Sequence, residues 1–305
     1  MRAKLFLIIL VLAGFQGRAQ TKDTSLLNML SDSMATGAKP MPVHGTFKGV
    51  YLINLQTNET IAKGALNFEI QHRFGQLNSG AYNFFGLDNA TLRLGLDYGI
   101  TDRLTVGIGR SSYLKTFDGF LKYRLLEQKE GAKGGSPISI TLLGDISNFT
   151  QQEPTETFLN ANYRTSYVTQ AIITRKFKAF SLELVPSYIR ANLVQSPADK
   201  NDMFAVSGAA RVKLTKRMSL DGEYNYLLPN QVVSSTVHNS LSFAWEMETG
   251  GHVFQLVFSN SQSMIPNQFL TQTSGRWQDG AIYFGFNIAR NFNISSHAKK
   301  KSVQQ

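Results

Sequence analysis

Thirteen charged side chains lie in segments in which polar and apolar residues alternate. If these segments are strands, the charged side chains share one face of the sheet and could support chemistry there. On the inner face of a barrel such charges would set the ion preference of a pore or pair across the wall. Seven acids and six bases nearly balance, which predicts weak charge selectivity, and we favour wall pairing over a catalytic dyad. These pore-lining candidates are Glu69, Arg73, Arg93, Asp97, Asp118, Lys122, Arg124, Glu183, Arg211, Lys213, Asp221, Glu223 and Glu246.

The spacing around "TKR" places one of these pairs in register. If this turn closes a three-residue hairpin, Leu214 pairs with Met218. Arg211 then lies directly across from Asp221, and opposite charges at such positions stabilise a sheet. We therefore expect an ion pair at this point of the wall.

Catalytic and metal-binding patterns are weak in this sequence. "VHNSLS" puts His238 and Ser240 on one face of one strand, about 6.5 to 7 Å apart at the backbone, with no evident orienting acid. The five histidines show neither the i, i+2 nor the i, i+4 spacing of a metal site, and "GIGRSS" lacks the lysine of a phosphate loop. We predict no enzyme activity, no catalytic residue, no metal and no cofactor; a barrel-embedded hydrolase ranks third among the functions considered.

The stretch "IQHRFG" places His72 next to Arg73 where an alternating run meets Gly75. His72 has the parity of the lipid-facing side chains, whereas Arg73 has the parity of the lumen. The sequence predicts a strand that passes from hydrocarbon into the polar layer, with Gly75 releasing the chain into a loop. A binding role for Arg73 at a pore mouth is the alternative.

The elements that position these residues are segments of about ten alternating residues separated by Gly, Asn, Asp and Pro. Strands of that length fit a tilted membrane crossing better than a soluble sandwich, whose strands are usually about five or six residues long. The pattern predicts a transmembrane, antiparallel, up-and-down β-barrel of about twelve strands, within a range of ten to fourteen. The predicted strands are 64–74, 89–98, 104–111, 116–125, 137–146, 164–175, 180–190, 203–214, 218–226, 238–247, 252–259 and 281–292.

The connections sort by length. The tight turns "GITDR", "KFKA", "TKR" and "METGG" all fall on one side, and five longer segments fall on the other. One long connection, "LLEQKEGAKGGSP", breaks this pattern because it falls on the side of the tight turns. Outer-membrane barrels have short periplasmic turns and long outer loops, so both termini should lie in the periplasm. The segment "TFKGVYLINL", residues 46–55, is an extra strand, a segment inside the barrel, or a segment below it.

The first twenty residues have a basic start, an apolar run of eleven residues and small residues at the end, as in a cleaved secretory signal. We divide the chain into a signal peptide (1–20), a periplasmic lead-in that could also act as a plug or extra strand (21–55), an outer-membrane barrel (56–292) and a polar, basic tail (293–305). The expected location is the outer membrane of a Gram-negative bacterium.

Composition excludes several classes of protein. The chain has no cysteine, so disulfides, thiolate metal sites and a lipidated cysteine anchor are excluded. Its formal charge of +10 falls by three when the signal leaves, and the remaining basic residues are scattered rather than gathered on one face. This distribution argues against a nucleic-acid partner.

The ordered set "INLQTNETIAKG", "HRFGQL", "FFGLD", "YGITDRLTVGIGRS" and "FLKYRLLEQ" resembles a family of β-barrel outer-membrane proteins from Bacteroidetes-type bacteria. The likeness covers roughly residues 50 to 292. It implies a barrel and an outer-membrane location, and no established activity comes with it. The last strand, "AIYFGFNIARNF", also resembles the terminal recognition strand of such barrels.

These features lead to a functional hypothesis. The mixed-charge lumen and long outer loops favour a small-solute pore or transport protein, and a non-conducting structural or adhesion barrel that binds a partner through its loops is the alternative. A twelve-stranded wall encloses limited space, which its own side chains or residues 21–55 could fill. The expected partners are outer-membrane lipid, the barrel assembly machinery and small solutes.

Overall fold

A computed structural model describes residues 40–131, 135–152 and 160–295 of the protein. The chain divides into two compact units, and the barrel belongs to the unit formed by residues 41–130 and 135–305. The expected signal peptide, most of the expected lead-in and the end of the basic tail lie outside the described residues.

Twelve antiparallel strands close into one barrel, in which each strand pairs with the next and the last pairs with the first. This confirms the predicted fold class. Among the described residues no helix is long and apolar enough to cross a membrane. The strands are β1 (Ala65–Gln76), β2 (Ala90–Gly99), β3 (Leu104–Ser111), β4 (Thr116–Leu126), β5 (Ser139–Phe149), β6 (Thr165–Phe177), β7 (Phe180–Ala191), β8 (Asp202–Lys213), β9 (Met218–Leu227), β10 (Ser240–Thr249), β11 (His252–Ser259) and β12 (Tyr283–Asn293).

The strands present apolar side chains outward and polar side chains inward, the reverse of a soluble protein. Leu94 is 42 % exposed and Phe243 is 49 % exposed, whereas the side chains of Arg73 and Lys122 are fully buried. Successive residues of a strand point to opposite faces, so the period-two pattern sorts them in this way. The outer surface of the barrel is therefore apolar, and the lumen is polar.

The first strand is longer than the sequence pattern indicates. β1 continues through Gly75 to Gln76, because the Gly75 amide donates to the Asn89 carbonyl (3.0 Å) and extends the ladder with β2. The expectation that Gly75 releases the chain into a loop is therefore wrong. The other strand limits differ from the predicted ones by a few residues at most.

Short turns at residues 100–103, 178–179, 214–217 and 250–251 lie at one end of the barrel, which we call the turn end. The opposite end, which we call the loop end, carries the long connections. The connection from β4 to β5 lies at the turn end and includes a two-residue ladder of Lys129–Glu130 with Met41–Pro42. Short 3-10 segments span Leu77–Ser79, Ala81–Gly86, Tyr113–Lys115 and Trp277–Asp279, and the second of them is kinked at Phe84 and Phe85.

Two segments fill the lumen from opposite ends. From the turn end, residues 46–58 fold inward as a hairpin, which we call the N-terminal hairpin. From the loop end, the connection between β11 and β12 places helix α1 (Pro266–Thr271), all of whose residues are buried, inside the wall. The two insertions share one buried apolar cluster. Of the alternatives for residues 46–55, the structure therefore shows the segment inside the barrel.

Candidate functional site

The N-terminal hairpin turns at Ile53 and Asn54, in the middle of the lumen. Tyr51 bridges to Gln56 in antiparallel fashion, and the Leu52 amide donates to the Leu55 carbonyl (2.8 Å). A peptide turn in a barrel interior must satisfy its remaining backbone groups through the wall. The functional site is therefore the place where this turn meets the wall.

One carboxylate of β9 holds the turn. The backbone amides of Asn54 and Leu55 both donate to Glu223 Oε2, each at 3.0 Å. The Asn54 side-chain amide donates to Glu223 Oε1 at 2.6 Å and to the Ser242 hydroxyl at 3.1 Å. Hydrogen bonds to a buried charge are stronger than neutral ones, so Glu223 is the strongest single anchor of the hairpin.

Amide side chains from β1, β11 and β12 hold the opposite side of the turn. The Ile53 carbonyl accepts from Asn287 Nδ2 (2.9 Å) and from Gln71 Nε2 (3.3 Å). The Gln255 amide donates to the Leu52 carbonyl, and it is itself fixed by Asn287 (2.8 Å). Three amide side chains thus serve the two carbonyls of the turn, those of Leu52 and Ile53. Gln71, Gln255 and Asn287 were not among the predicted site residues, all of which are charged. Their lumen parity in the strands is the signal that could have identified them.

Arg73 joins the two sides of this arrangement. Its guanidinium donates to Asn54 Oδ1 (3.0 Å) and to Asn287 Oδ1 (2.9 Å). The expected place of Arg73 near a pore mouth is therefore wrong, since it lies at the tip of the hairpin. Its neighbour His72 faces outward and stacks on Phe286, with ring centroids 4.8 Å apart. His72 thus lies on the lipid face of the wall, and Arg73 lies at the hairpin site.

The hairpin enters across the turn between β2 and β3. Thr60 Oγ1 donates to the Asp102 carbonyl (2.8 Å), and the Lys63 amide donates to the Asp102 carboxylate (3.1 Å). Gly99 makes this path possible, because a Cβ there would lie 2.2 Å from the Ala62 carbonyl oxygen. A glycine at this position lets the chain run closely over the end of β2.

Helix α1 is held mainly by burial. Phe269 and Leu270 belong to the shared apolar cluster and are almost fully buried. Among the described residues, one hydrogen bond joins α1 to a strand side chain, from Gln268 Nε2 to Thr116 Oγ1 (2.9 Å). Asn267 Oδ1 is buried without a hydrogen-bond partner there. The helix therefore has few polar contacts with the wall.

Cavities lie on both sides of the two insertions. At the loop end, neighbouring cavities of about 370 and 500 Å³ are bounded by Thr271 and Gln272 of the α1 connection. At the turn end, a cavity of about 520 Å³ is bounded by Lys48 and Val50 of the hairpin segment. The insertions thus separate two chambers, one at each end of the barrel.

The structure buries most of the thirteen candidate charges in the lumen. Arg211 lies across from Asp221, as expected, at 3.8 Å, and it makes a shorter ion pair with Glu246 (2.8 Å). Arg124 is half-buried and pairs with Glu127 (2.9 Å). The buried members are Glu69, Arg73, Arg93, Asp97, Asp118, Lys122, Glu183, Arg211, Asp221, Glu223 and Glu246.

Lys213 differs from the other candidates. It is exposed at the last position of β8, beyond the buried part of the wall, although its parity is that of the lumen. Its assignment as a lumen-lining charge is therefore wrong. Parity reports which face a residue occupies, and it does not report the depth along the strand.

The lumen charges fall into two groups, those that bond to the hairpin or to each other and those with carboxylate oxygens that make no hydrogen bond. Arg93 forms a buried ion pair with Asp118 and donates to the Tyr51 hydroxyl of the hairpin segment (3.2 Å). In contrast, neither carboxylate oxygen of Glu183 has a hydrogen-bond partner, and Asp145 Oδ1 has none either. Asp145 shares the lumen parity of β5 and was missed among the candidates. The hairpin thus bonds to several of the lumen charges, and Glu183 and Asp145 are not among them.

Within the described residues, His238 and Ser240 are not hydrogen-bonded to each other. The Ser240 hydroxyl is buried without a hydrogen bond, so His238 does not activate it. The part of the chain that the structure describes contains no group of three or more His, Asp or Glu residues able to hold a metal ion.

Comparisons with known proteins agree with this fold. Residues 47–292 match a family described as "Membrane bound beta barrel domain (DUF5777)". The chain belongs to this family, which confirms the expected membrane β-barrel family, whereas its bacterial group stays a prediction. A search of curated proteins finds no match.

Several solved structures are similar at low identity. A NanC porin shares 8 % identity over 74 % of this chain and 98 % of its own (TM-score 0.46). An outer membrane channel from Pseudomonas putida F1 shares 14 % identity over 77 % of this chain and 98 % of its own (TM-score 0.45). Outer membrane phospholipase A from Escherichia coli shares 8 % identity over 80 % of this chain and 95 % of its own (TM-score 0.44).

Proposed function

We propose that this membrane-bound β-barrel is a gated conduit for small solutes in the outer membrane, closed by its N-terminal hairpin. The hairpin is the gate, and the chambers at the turn end and the loop end are the two entrances. The near balance of charges expected from the sequence does not hold for the buried lumen side chains, so by formal charge the open conduit favours cations over anions. The acids are Glu69, Asp97, Asp118, Asp145, Glu183, Asp221, Glu223 and Glu246, and the bases are Arg73, Arg93, Lys122 and Arg211.

The observation that carries this proposal is the way in which the hairpin is attached. It pairs with no strand of the barrel, and side chains alone hold its tip, chiefly Glu223, Arg73 and Gln255. Side-chain hydrogen bonds can exchange for bonds to a solute or to water without opening the sheet. A purely structural filling would gain more from an apolar wall than from buried charges.

A second candidate function is a non-conducting barrel that binds a partner through its loops. The filled lumen favours it, and so does the loop between β1 and β2, where Tyr82 is 96 % exposed and Phe84 is 60 % exposed. Large exposed apolar side chains on a loop are typical of interaction surfaces. No comparable observation among the described residues favours the barrel-embedded hydrolase.

The two functions differ in a conductance measurement on Asn54→Ala. This variant loses bonds to Glu223, Ser242 and Arg73, and each bond to a buried charge contributes about 1.5 to 3 kcal/mol. The free energy that seats the hairpin should fall enough to raise the open fraction by about a hundredfold or more. Purified protein in planar lipid bilayers should show little current for the wild type and frequent openings for the variant.

The matched control is Asn267→Ala, which truncates an asparagine that lies in the lumen but whose side-chain oxygen has no partner. It should leave the conductance at the wild-type level. Silence of Asn54→Ala, in a barrel that migrates faster unheated than boiled on a detergent gel, would reject the conduit and favour the loop-binding function.

A further inference from the structure

The tip of the N-terminal hairpin is an unusual turn, because part of its own hydrogen bonding is diverted to the wall. In a two-residue hairpin, the residues that flank the turn normally exchange two backbone hydrogen bonds. Here the Leu52 amide donates to the Leu55 carbonyl (2.8 Å), but the Leu55 amide donates to Glu223 and the Leu52 carbonyl accepts from Gln255. The wall thus replaces an internal bond of the peptide.

The wall groups at this point complement a peptide backbone. Glu223 Oε2 accepts from two successive amides, those of Asn54 and Leu55. Two successive carbonyls, those of Leu52 and Ile53, accept from the amide side chains of β1, β11 and β12. Any short peptide offers the same sequence of amides and carbonyls, so the wall recognises the backbone and not only this hairpin.

The side chains of the tip enter an apolar part of the lumen. Leu52, Ile53 and Leu55 are at most 1 % exposed. The apolar wall they share comes from β6 to β8, β10 and β11, together with α1, and includes Val168, Ile189, Met203, Val257 and Phe269. A ligand that satisfies this site therefore carries apolar side chains on an amide backbone.

We infer that the hairpin tip occupies the solute site of the conduit, and that the solute is a short, uncharged peptide with apolar side chains. This inference rests on the proposed function, since the site becomes accessible only when the hairpin leaves. Residues 52–55, "LINL", then act as an internal stand-in for the solute. A free peptide competes with the tip for Glu223 and Gln255.

Other solute classes fit the site less well. An anionic solute would meet the guanidinium of Arg73, but also two carboxylates, those of Glu223 and of the nearby Glu246, which Gln255 contacts at 3.2 Å. A sugar could use the polar groups, but its hydroxyls would leave the apolar wall around Ile189 and Met203 without contact. Specificity for a peptide comes from combining the polar groups that bond to a backbone with the apolar wall that contacts side chains.

The test uses the full chain with Asn54→Ala as the open background. The probe is acetyl-Leu-Ile-Asn-Leu-amide, added to bilayers that contain the open variant. It should reduce the current in a saturable manner, whereas acetyl-Glu-Glu-Asn-Glu-amide and maltose at the same concentrations should leave it unchanged. Equal block by maltose or by the acidic peptide would overturn the inference in favour of a nonselective or sugar site.

A second pair of variants locates the block. In the open background, Glu223→Ala should raise the half-blocking concentration of the peptide at least tenfold. Glu183→Ala removes another buried lumen carboxylate, one that makes no hydrogen bond, and should change it less than twofold. Equal effects of the two substitutions would overturn the assigned site. Faster migration of unheated protein on a detergent gel confirms that each variant is folded.

Failure of the conduit and failure of the peptide site give different results. If Asn54→Ala carries no current, the conduit is rejected. Fluorescence anisotropy of a labelled acetyl-Leu-Ile-Asn-Leu-amide then tests the site directly. Saturable binding to Asn54→Ala that is weaker in the wild type supports displacement of the tip; equal or no binding to both proteins overturns it.

Discussion

The two segments that fill the lumen are held in different ways. The N-terminal hairpin bonds to the wall through carboxylate, guanidinium and amide side chains, with Glu223 as its main anchor. Helix α1 is held by burial of Phe269 and Leu270, and one hydrogen bond joins it to a strand side chain, that of Thr116. Both insertions bury apolar side chains in one cluster, but within the described residues the hairpin adds a set of hydrogen bonds to charged and amide side chains of the wall, which α1 lacks.

This difference indicates which insertion can act as a gate. Hydrogen bonds to polar side chains have substitutes in water and in solutes, so the polar part of the hairpin's attachment can exchange partners. Its buried Leu52, Ile53 and Leu55 need the apolar side chains of a solute to replace them. Apolar burial has no such substitute in water. We therefore expect the hairpin to move and α1 to stay as part of the wall.

The largest expected effect comes from placing a carboxylate in the apolar cluster that both insertions share. An unpaired buried charge costs several kcal/mol, so Ile53→Asp should expel the hairpin and Leu270→Asp should expel α1. Bilayer recording should show high conductance for Ile53→Asp and wild-type conductance for Leu270→Asp.

The helix variant needs its own readout. Limited proteolysis of Leu270→Asp should cleave within residues 260–282 at least tenfold faster than in the wild type, which would show that α1 has left the lumen. Conductance of Leu270→Asp equal to that of Ile53→Asp would remove the distinction between the two insertions.

An intermediate effect is expected where the hairpin enters the barrel. Gly99→Ala would place a Cβ 2.2 Å from the Ala62 carbonyl oxygen, so the linker must shift at a cost of about 1 to 3 kcal/mol. The open fraction should rise about fivefold to a hundredfold. Gly144→Ala is the control, because its Cβ meets open space. Identical conductance of the two variants would show that the entry path does not seat the hairpin.

The smallest effect is expected at the rim of the loop end, where the loop between β7 and β8 contacts the loop between β9 and β10. Asp199 accepts hydrogen bonds from the Ser234 hydroxyl and from the amides of Val233 (2.7 Å) and Ser234 (2.9 Å), which hold the pKa of its carboxyl below the usual value. Because the folded-state pKa is lowered, this stabilisation is fully present above the unfolded value of about 3.9 and is lost as the pH falls through the folded value.

Hydrogen exchange measures this rim contact. Protection of the Val233 and Ser234 amides, corrected for intrinsic exchange, should be constant from pH 5 to 8 and should fall below about pH 4. Asp199→Asn should lower it at neutral pH, and Asp88→Asn in another loop should not. Conductance that follows the same pH profile would mean that the rim takes part in gating.

Local sequence patterns determined the barrel itself. Alternation in "ATLRLGLDYG" gave β2 its inner and outer faces, and the short turns gave the order of neighbouring strands. The register of Arg211 against Asp221 followed from the length of one turn and is confirmed. These features could be predicted because each depends on residues close together in the chain, where strand geometry fixes which side chains share a face.

The filling of the lumen was decided by the tertiary structure. Asn54 and Glu223 are separated by 169 residues, and Ile53 and Asn287 by 234, so no local period relates them. For the same reason Gln71, Gln255 and Asn287 were not singled out, since an inward amide has meaning only when its partner across the lumen is known. Parity told which residues face inward, and closure of the barrel around the hairpin determined what they face.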